Sequence, residues 1–353
     1  MPAPATPQSA GADPAVVGPY LASALSDPAW SEAAVTLIAG GKSNLTYRVD
    51  SSAGSVVLRR PPLGHVLPTA HDMAREHRVM AALYDTAVPV PKMLHFCSDA
   101  EVLGQPFYVM ERVEGHIVTT ALPPGYDSPA DRATLSQGLV AVLADLHDVD
   151  PFAVGLGEFG RPEGYLARQV KRWGQQWEAT RLEGLEDLDQ LAKDLAAAVP
   201  VSARSSIVHG DYRLDNTMLH PTQVGRISAV LDWEMSTLGD PLADLGILLV
   251  YWAQGDDGST RKGGTVVPAA TIQPGFWTRA QVAEDYARRT GADITDLPWY
   301  VAFGFFKLAV VCAGIVARVR GGAMVGGGFE GYEERIAPLV ELGRMTLSDR
   351  RLH

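Results

Sequence analysis

The chain has 353 residues, of which 46% are hydrophobic and 20% charged, with a formal net charge of −11 and a pI of about 5.3. That length supports one large domain or two lobes with separate cores, and the acidity argues against a dominant nucleic-acid role, which needs a basic stripe. Cys97 and Cys312 are far apart and outside any CxxC pair, so no zinc site or disulfide framework is implied. Two buried free thiols in a reducing cytoplasm fit the pattern.

The first 14 residues, MPAPATPQSAGADP, lack the basic start and apolar run of a secretion signal and read as a mobile Pro/Ala-rich tail. Residues 35–60 read as strands around a turn: AVTLIA, the turn GGKSN, alternating LTYRVD, then the β-branched run SVVLRR. The spacing predicts a helix over about 70–84, with Met73, His77, Met80, Ala81 and Tyr84 near one face. VPVPKMLHFCSD reads as loop and strand, and QPFYVMERVEG as a strand ending at Gly115. Residues 15–112 therefore form a β-rich first lobe with one long helix.

Residues 113–353 form a mainly helical second lobe. Helices are expected over 131–147, 162–181 and 185–198, followed by two short β segments in SIVHGDYRLDNTMLH and RISAVLDWE. Asp240 caps a helix starting at Pro241, with Asp244 in its first turn, and both read as structural, bracing the nearby turn. The run from Leu297 to Val316 is apolar enough to raise a membrane question. Lys307 near its middle makes a buried helix the better reading, because a mid-bilayer charge is costly.

The chemistry concentrates in HGDYRLDN at 209–216 and LDWE at 231–234. An Asp, an Asn five residues on and a second Asp after a hydrophobic run suit phosphoryl transfer. Asp211 would orient the proton of an attacking hydroxyl, while Asn216 and Asp232 offer hard oxygen ligands to Mg²⁺ around ATP phosphates. Each motif alone is an ordinary turn; their order and spacing carry the assignment. GKS at 41–43 is not a Walker A motif, since Thr36 stands where that pattern needs Gly.

HGDYRLDN, LDWE and GDPLADLG resemble the motifs of the aminoglycoside phosphotransferase-like kinase family. Within it, they are similar to the branch of kinase domains attached to some acyl-CoA dehydrogenases, over about residues 35–340. The resemblance implies an α+β, bilobal protein-kinase-like fold with ATP between the lobes. It implies Arg59 in the place of the VAIK lysine, with Glu76 as its partner, whereas Arg60 points to the opposite strand face. It also implies Gly41, Ser43 and Asn44 at the phosphates, and the backbone of Met110, Glu111 and Val113 at the adenine. Arg213 is read either as a cation near the γ-phosphate or as a surface partner of Asp215.

The expected activity is ATP-dependent phosphorylation of a small hydroxylated molecule, of acyl, amino-alcohol or amino-sugar type. The aromatics Trp252, Trp299, Tyr300, Phe303 and Phe305 suit an apolar acceptor. The alternative is a nucleotide-binding pseudokinase acting as an interaction module, favoured by Arg59 and the missing GxGxxG. A protein kinase is disfavoured by Gly210 and the lack of APE.

Overall fold

The computed structural model describes residues 10–38, 44–63, 72–119, 121–264, 270–321 and 331–353. The chain divides into two compact units, Met1–Glu114 with Ser228–Glu234, and Gly115–Ile227 with Met235–His353. The first unit thus runs slightly past residue 112 and also takes in the LDWE segment.

The first unit opens with a helix absent from the sequence reading, α1 (Pro14–Ala24). Asp13 caps it by accepting from the Ala15 N–H, and Pro14 starts it with a preset φ. Residues 10–13, expected in the mobile tail, are packed instead. Ala12 is buried, and the carbonyls of Ala10 and Gly11 accept hydrogen bonds from Tyr47 and Arg60. Strands β1 (Ala34–Leu37), β2 (Leu45–Ser51) and β3 (Gly54–Arg60) follow the alternating runs. Helix α2 (Met73–Leu83), strand β4 (Met93–Cys97), the short α3 (Ala100–Leu103) and strand β5 (Phe107–Glu111) complete the unit's main elements. Among the described residues the sheet has the order β1-β2-β3-β5-β4, every pairing antiparallel. One face of it buries Tyr47, Val49, Leu58, Phe107 and Val109 with Val17 and Leu21 of α1.

The phase of α2 differs from expectation. Its buried side is Met73, Glu76, Val79, Met80 and Leu83, while Ala81 and Tyr84 are exposed. Hydrophobic periodicity skipped Glu76, and this carboxylate turns the stripe by being buried with partners. Arg60 lies on the face opposite Arg59, as expected, and is buried there, donating to the carbonyls of Gly11, Leu103 and Pro61.

In the second unit, strand β6 (His116–Ile117) precedes helix α4 (Pro129–Asp148), which opens with a Ser128–Asp131 capping box. Helices α5 (Tyr165–Ala179) and α6 (Glu186–Ala197) lie within a few residues of their expected bounds. Strand β7 (Ser206–Val208) leads into the HGDYRLDN turn, and strand β8 (Thr217–Leu219) leaves it and pairs with β6. The chain enters strand β9 (Ile227–Val230), then returns through β10 (Thr237–Gly239), which pairs with β7. Helices α7 (Leu242–Tyr251), α8 (Ser259–Gly263), α9 (Arg279–Thr290), α10 (Leu297–Arg320) and α11 (Tyr332–Asp349) finish the unit.

Helix α10 is the core of this unit. It packs on α7, α5, α6 and α11, and 78% of its most apolar window is buried inside the protein. Its apolar length is therefore consumed by neighbouring helices. The aromatics expected to favour an apolar acceptor belong to this core. Trp252, Trp299, Tyr300, Phe303 and Phe305 are all buried, and the polar ends of three are tied off. Trp252 donates to the Trp277 carbonyl, Trp299 to the Leu195 carbonyl and Tyr300 to Asp240. Both cysteines are free and buried, and burial pushes the Cys312 thiol up to about 11.

Candidate active site

A short strand followed by a tight bend presents Asp211. Gly210 bends the chain at φ +85°, and a Cβ there would stand 2.7 Å from the Met235 carbonyl oxygen, so only glycine fits. Asp244, in the first turn of α7, receives the N–H of His209 at 2.6 Å and of Gly210 at 2.7 Å. His147 meets the same carboxylate at 3.2 Å and Tyr286 at 2.7 Å. Burial alone would raise the Asp244 pKa. The His147 hydrogen bond, the charges of His147 and His209 and the backbone N–H hold it below the ordinary carboxylate range. Asp244 thus braces the turn as its sequence position suggested, and His147 is a buried structural histidine.

Beyond the bend, Asn216 donates its amide N–H groups to the Asp211 carbonyl at 2.8 Å and to the Asp211 carboxylate at 3.0 Å. The Asn216 oxygen is thereby turned away from Asp211. Arg213 meets Asp211 at 3.1 Å and Asp215 at 2.8 Å, with its guanidinium 4.7 Å from the centre of the Tyr251 ring. Burial would loosen the guanidinium proton, and Asp211, Tyr251 and Asp215 more than reverse that. The Asp215 partnership is therefore present, and it sits alongside contact with Asp211.

The first unit holds its own cluster. Arg59 lies 3.1 Å from Glu76 and 2.5 Å from Asp232, so one cation faces two carboxylates. The Glu76 carboxylate, only 1% exposed, also accepts from Tyr108 at 2.9 Å and from Asn44 at 3.0 Å. Burial raises the Glu76 pKa, while Arg59, Tyr108 and Asn44 partly oppose the rise. The Asn44 amide also reaches Glu234 at 3.4 Å, so its N–H groups serve two carboxylates. Asp232 sits at φ +66°, a left-handed conformation that a non-glycine residue adopts at a cost. Met110 is buried in β5. The Glu111 N–H is committed to the Lys92 carbonyl at 2.9 Å, and Val113 lies beyond the end of the strand. Gly41 and Ser43 lie outside the described residues.

Lys307 was missed as a site residue. Its ammonium donates to the Gly210 carbonyl at 2.8 Å and stands 5.4 Å from the centre of the Trp173 ring. The available signal was a single cation inside the apolar run 297–316. Tyr108, Tyr251 and Glu234 were also missed, because nothing local in sequence ties them to the motifs. Among the described residues, no group of three or more His, Cys, Asp or Glu could hold a metal ion. The expected ligands, an Asn and an Asp, are oxygen donors of the kind Mg²⁺ takes when phosphates and water complete its shell.

The family profile described as "Phosphotransferase enzyme family" (APH) matches residues 34–293. Among curated proteins, the rat acyl-CoA dehydrogenase family member 11 is 37% identical over 321 residues, and the mouse family member 10 is 35% identical over 284. These alignments cover 90% and 79% of this chain but only 40% and 26% of those much longer relatives. Among solved structures, a candidate aminoglycoside phosphotransferase from Ralstonia eutropha JMP134 is 36% identical, with a TM-score of 0.77. That match covers 90% of this chain and 93% of the other. A thermostable mutant of aminoglycoside phosphotransferase APH(4)-Ia shares the fold at 17% identity and a TM-score of 0.60, over 93% and 98% of the two chains. That protein has also been solved with ADP and hygromycin B. The protein-kinase-like fold and mixed α+β class expected from sequence are those of these neighbours.

Proposed function

Because the chain belongs to the phosphotransferase enzyme family, we propose that it moves the γ-phosphate of ATP to a hydroxyl of a small molecule. The observation that carries this reading is the Asp211 turn. A carboxylate is fixed 3.0 Å from the amide of Asn216 on a bend braced from behind by Asp244. Asp211 accepts or orients the proton of the attacking hydroxyl and aligns it for in-line displacement.

Asn216, through the oxygen left by its Asp211 contacts, and Asp232 would hold Mg²⁺. When bound, the ion supplies charge neutralisation at the phosphates. Arg59 offers a planar fork of donors to phosphate oxygens, with Glu76 fixing its direction. Arg213, held by Asp215 and Tyr251, keeps positive charge beside Asp211. The Val113 backbone is the candidate for adenine recognition. Most of the acceleration comes from positioning and from charge stabilisation.

The test is Asp211→Asn, which keeps the shape and removes the anion. Turnover with saturating acceptor is expected to fall roughly 10²–10⁴-fold, typical of removing a general base; near-normal turnover would refute the role. A nucleotide-binding module without turnover is the second reading. It is favoured by the 2.5 Å Arg59–Asp232 pair, which occupies an oxygen the metal needs. Tight ATP binding with no ADP formed across a broad acceptor set would select it.

A further inference from the structure

We propose that Lys307 is a positioning residue for phosphoryl transfer: by holding the Gly210 carbonyl, it sets the direction in which Asp211 points. The inference rests on the reading of Asp211 above. The two sides of Gly210 are gripped by opposite charges from different helices. Asp244 of α7 takes its N–H at 2.7 Å, and Lys307 of α10 donates to its carbonyl at 2.8 Å. That carbonyl belongs to the peptide bond joining Gly210 to Asp211. Glycine at φ +85° rotates more freely than any other residue, so the peptide needs an outside hold to keep one orientation.

The arrangement is costly as mere packing. Helix α10 is otherwise apolar along this stretch, and an ammonium taken from water is expensive unless paired. No carboxylate lies within ion-pair distance of Lys307 among the described residues. The Trp173 ring, 5.4 Å away on α5, gives the cation a face to rest on. The charged groups around it are Asp211, Asp244, Arg172 and Arg213, two of each sign. A methionine would fill the same space without placing a charge in this apolar helix. What the ammonium adds is a charge-assisted hydrogen bond, about twice the strength of a neutral one, aimed at the residue before the proposed base.

The experiment compares wild type, Lys307→Met and Lys307→Arg. Steady-state ADP formation is followed from pH 6 to 10.5, and amide hydrogen exchange is followed across 206–216. Lys307→Met should lose roughly 10- to 100-fold in kcat, as expected for a misplaced catalytic group, with KM for ATP within about twofold of wild type. Lys307→Arg should restore most of that loss. Burial lowers the Lys307 pKa, so wild-type kcat should fall at alkaline pH, and the fall should move to higher pH in Lys307→Arg, whose guanidinium stays charged. Exchange at 209–213 should quicken at least about tenfold in Lys307→Met, an opening of the pinned turn, with α7 unchanged. A kcat equal to wild type, a loss confined to KM, or unchanged exchange at 209–213 would overturn the proposal. If wild type forms no ADP with any acceptor, the phosphotransferase reading fails by itself, and the exchange rates alone then decide whether Lys307 holds the turn.

Discussion

Arg59 carries two obligations. Its guanidinium neutralises Glu76, which is nearly fully buried, and at the same time lies on Asp232. Removing it would leave Glu76 as an uncompensated buried charge. Arg59→Met is therefore expected to cost about 3 kcal/mol of unfolding free energy, measured by urea denaturation at pH 7. A loss under about 1 kcal/mol would mean the pair matters little to the fold. Gly210 is constrained by shape rather than charge. Gly210→Ala places a Cβ against the Met235 backbone at positive φ, which should cost at least about 1–3 kcal/mol. It should also lower kcat by moving Asp211; a variant with wild-type stability and kcat would show that the bend tolerates a side chain.

At the scale of elements, the Asp211 turn is suspended between helices. Helix α7 supplies Asp244 to two consecutive backbone N–H groups, and α4 supplies His147 behind it. Asp244 has a folded-state pKa below its unfolded value, near 3.9 for an Asp. Its stabilisation is therefore complete above that unfolded value and is lost as pH falls through the lower folded one. Asp244→Asn should lower stability at pH 7 by roughly 2–4 kcal/mol and flatten the acid limb of the stability–pH curve. An unchanged acid limb would remove Asp244 from the account. Element positions in this unit were legible because long apolar periods and caps are local properties. The phase of α2 was not, since a buried Glu76 breaks the hydrophobic pattern that reveals a face. Helix α1 was hidden because its proline-rich neighbourhood resembles a tail, and only packing against the sheet distinguishes the two.

At the scale of the whole molecule, the fold and the core of the candidate site were readable for one reason. Asp211, Arg213 and Asn216 lie within six residues of one another, so their geometry is written into a single turn. Two residues that reach the turn from distant helices were not readable. Lys307 is 97 positions from Gly210, and Tyr251 meets Arg213 from the far end of α7. The aromatic residues of α10 misled for the converse reason, since composition cannot separate a pocket wall from a core. The net charge of −11 places no demand on the acceptor beyond local complementarity.

The most direct measurement is mass spectrometry of acceptor molecules after incubation with the protein, Mg²⁺ and ATP, alongside quantified ADP. The account predicts one phosphoryl group gained by the acceptor for each ADP formed, with both products falling together in Asn216→Ala and Asp232→Ala. ATP that binds and is recovered intact across a broad panel of hydroxylated molecules would contradict it, as would ADP released with free phosphate and no modified acceptor.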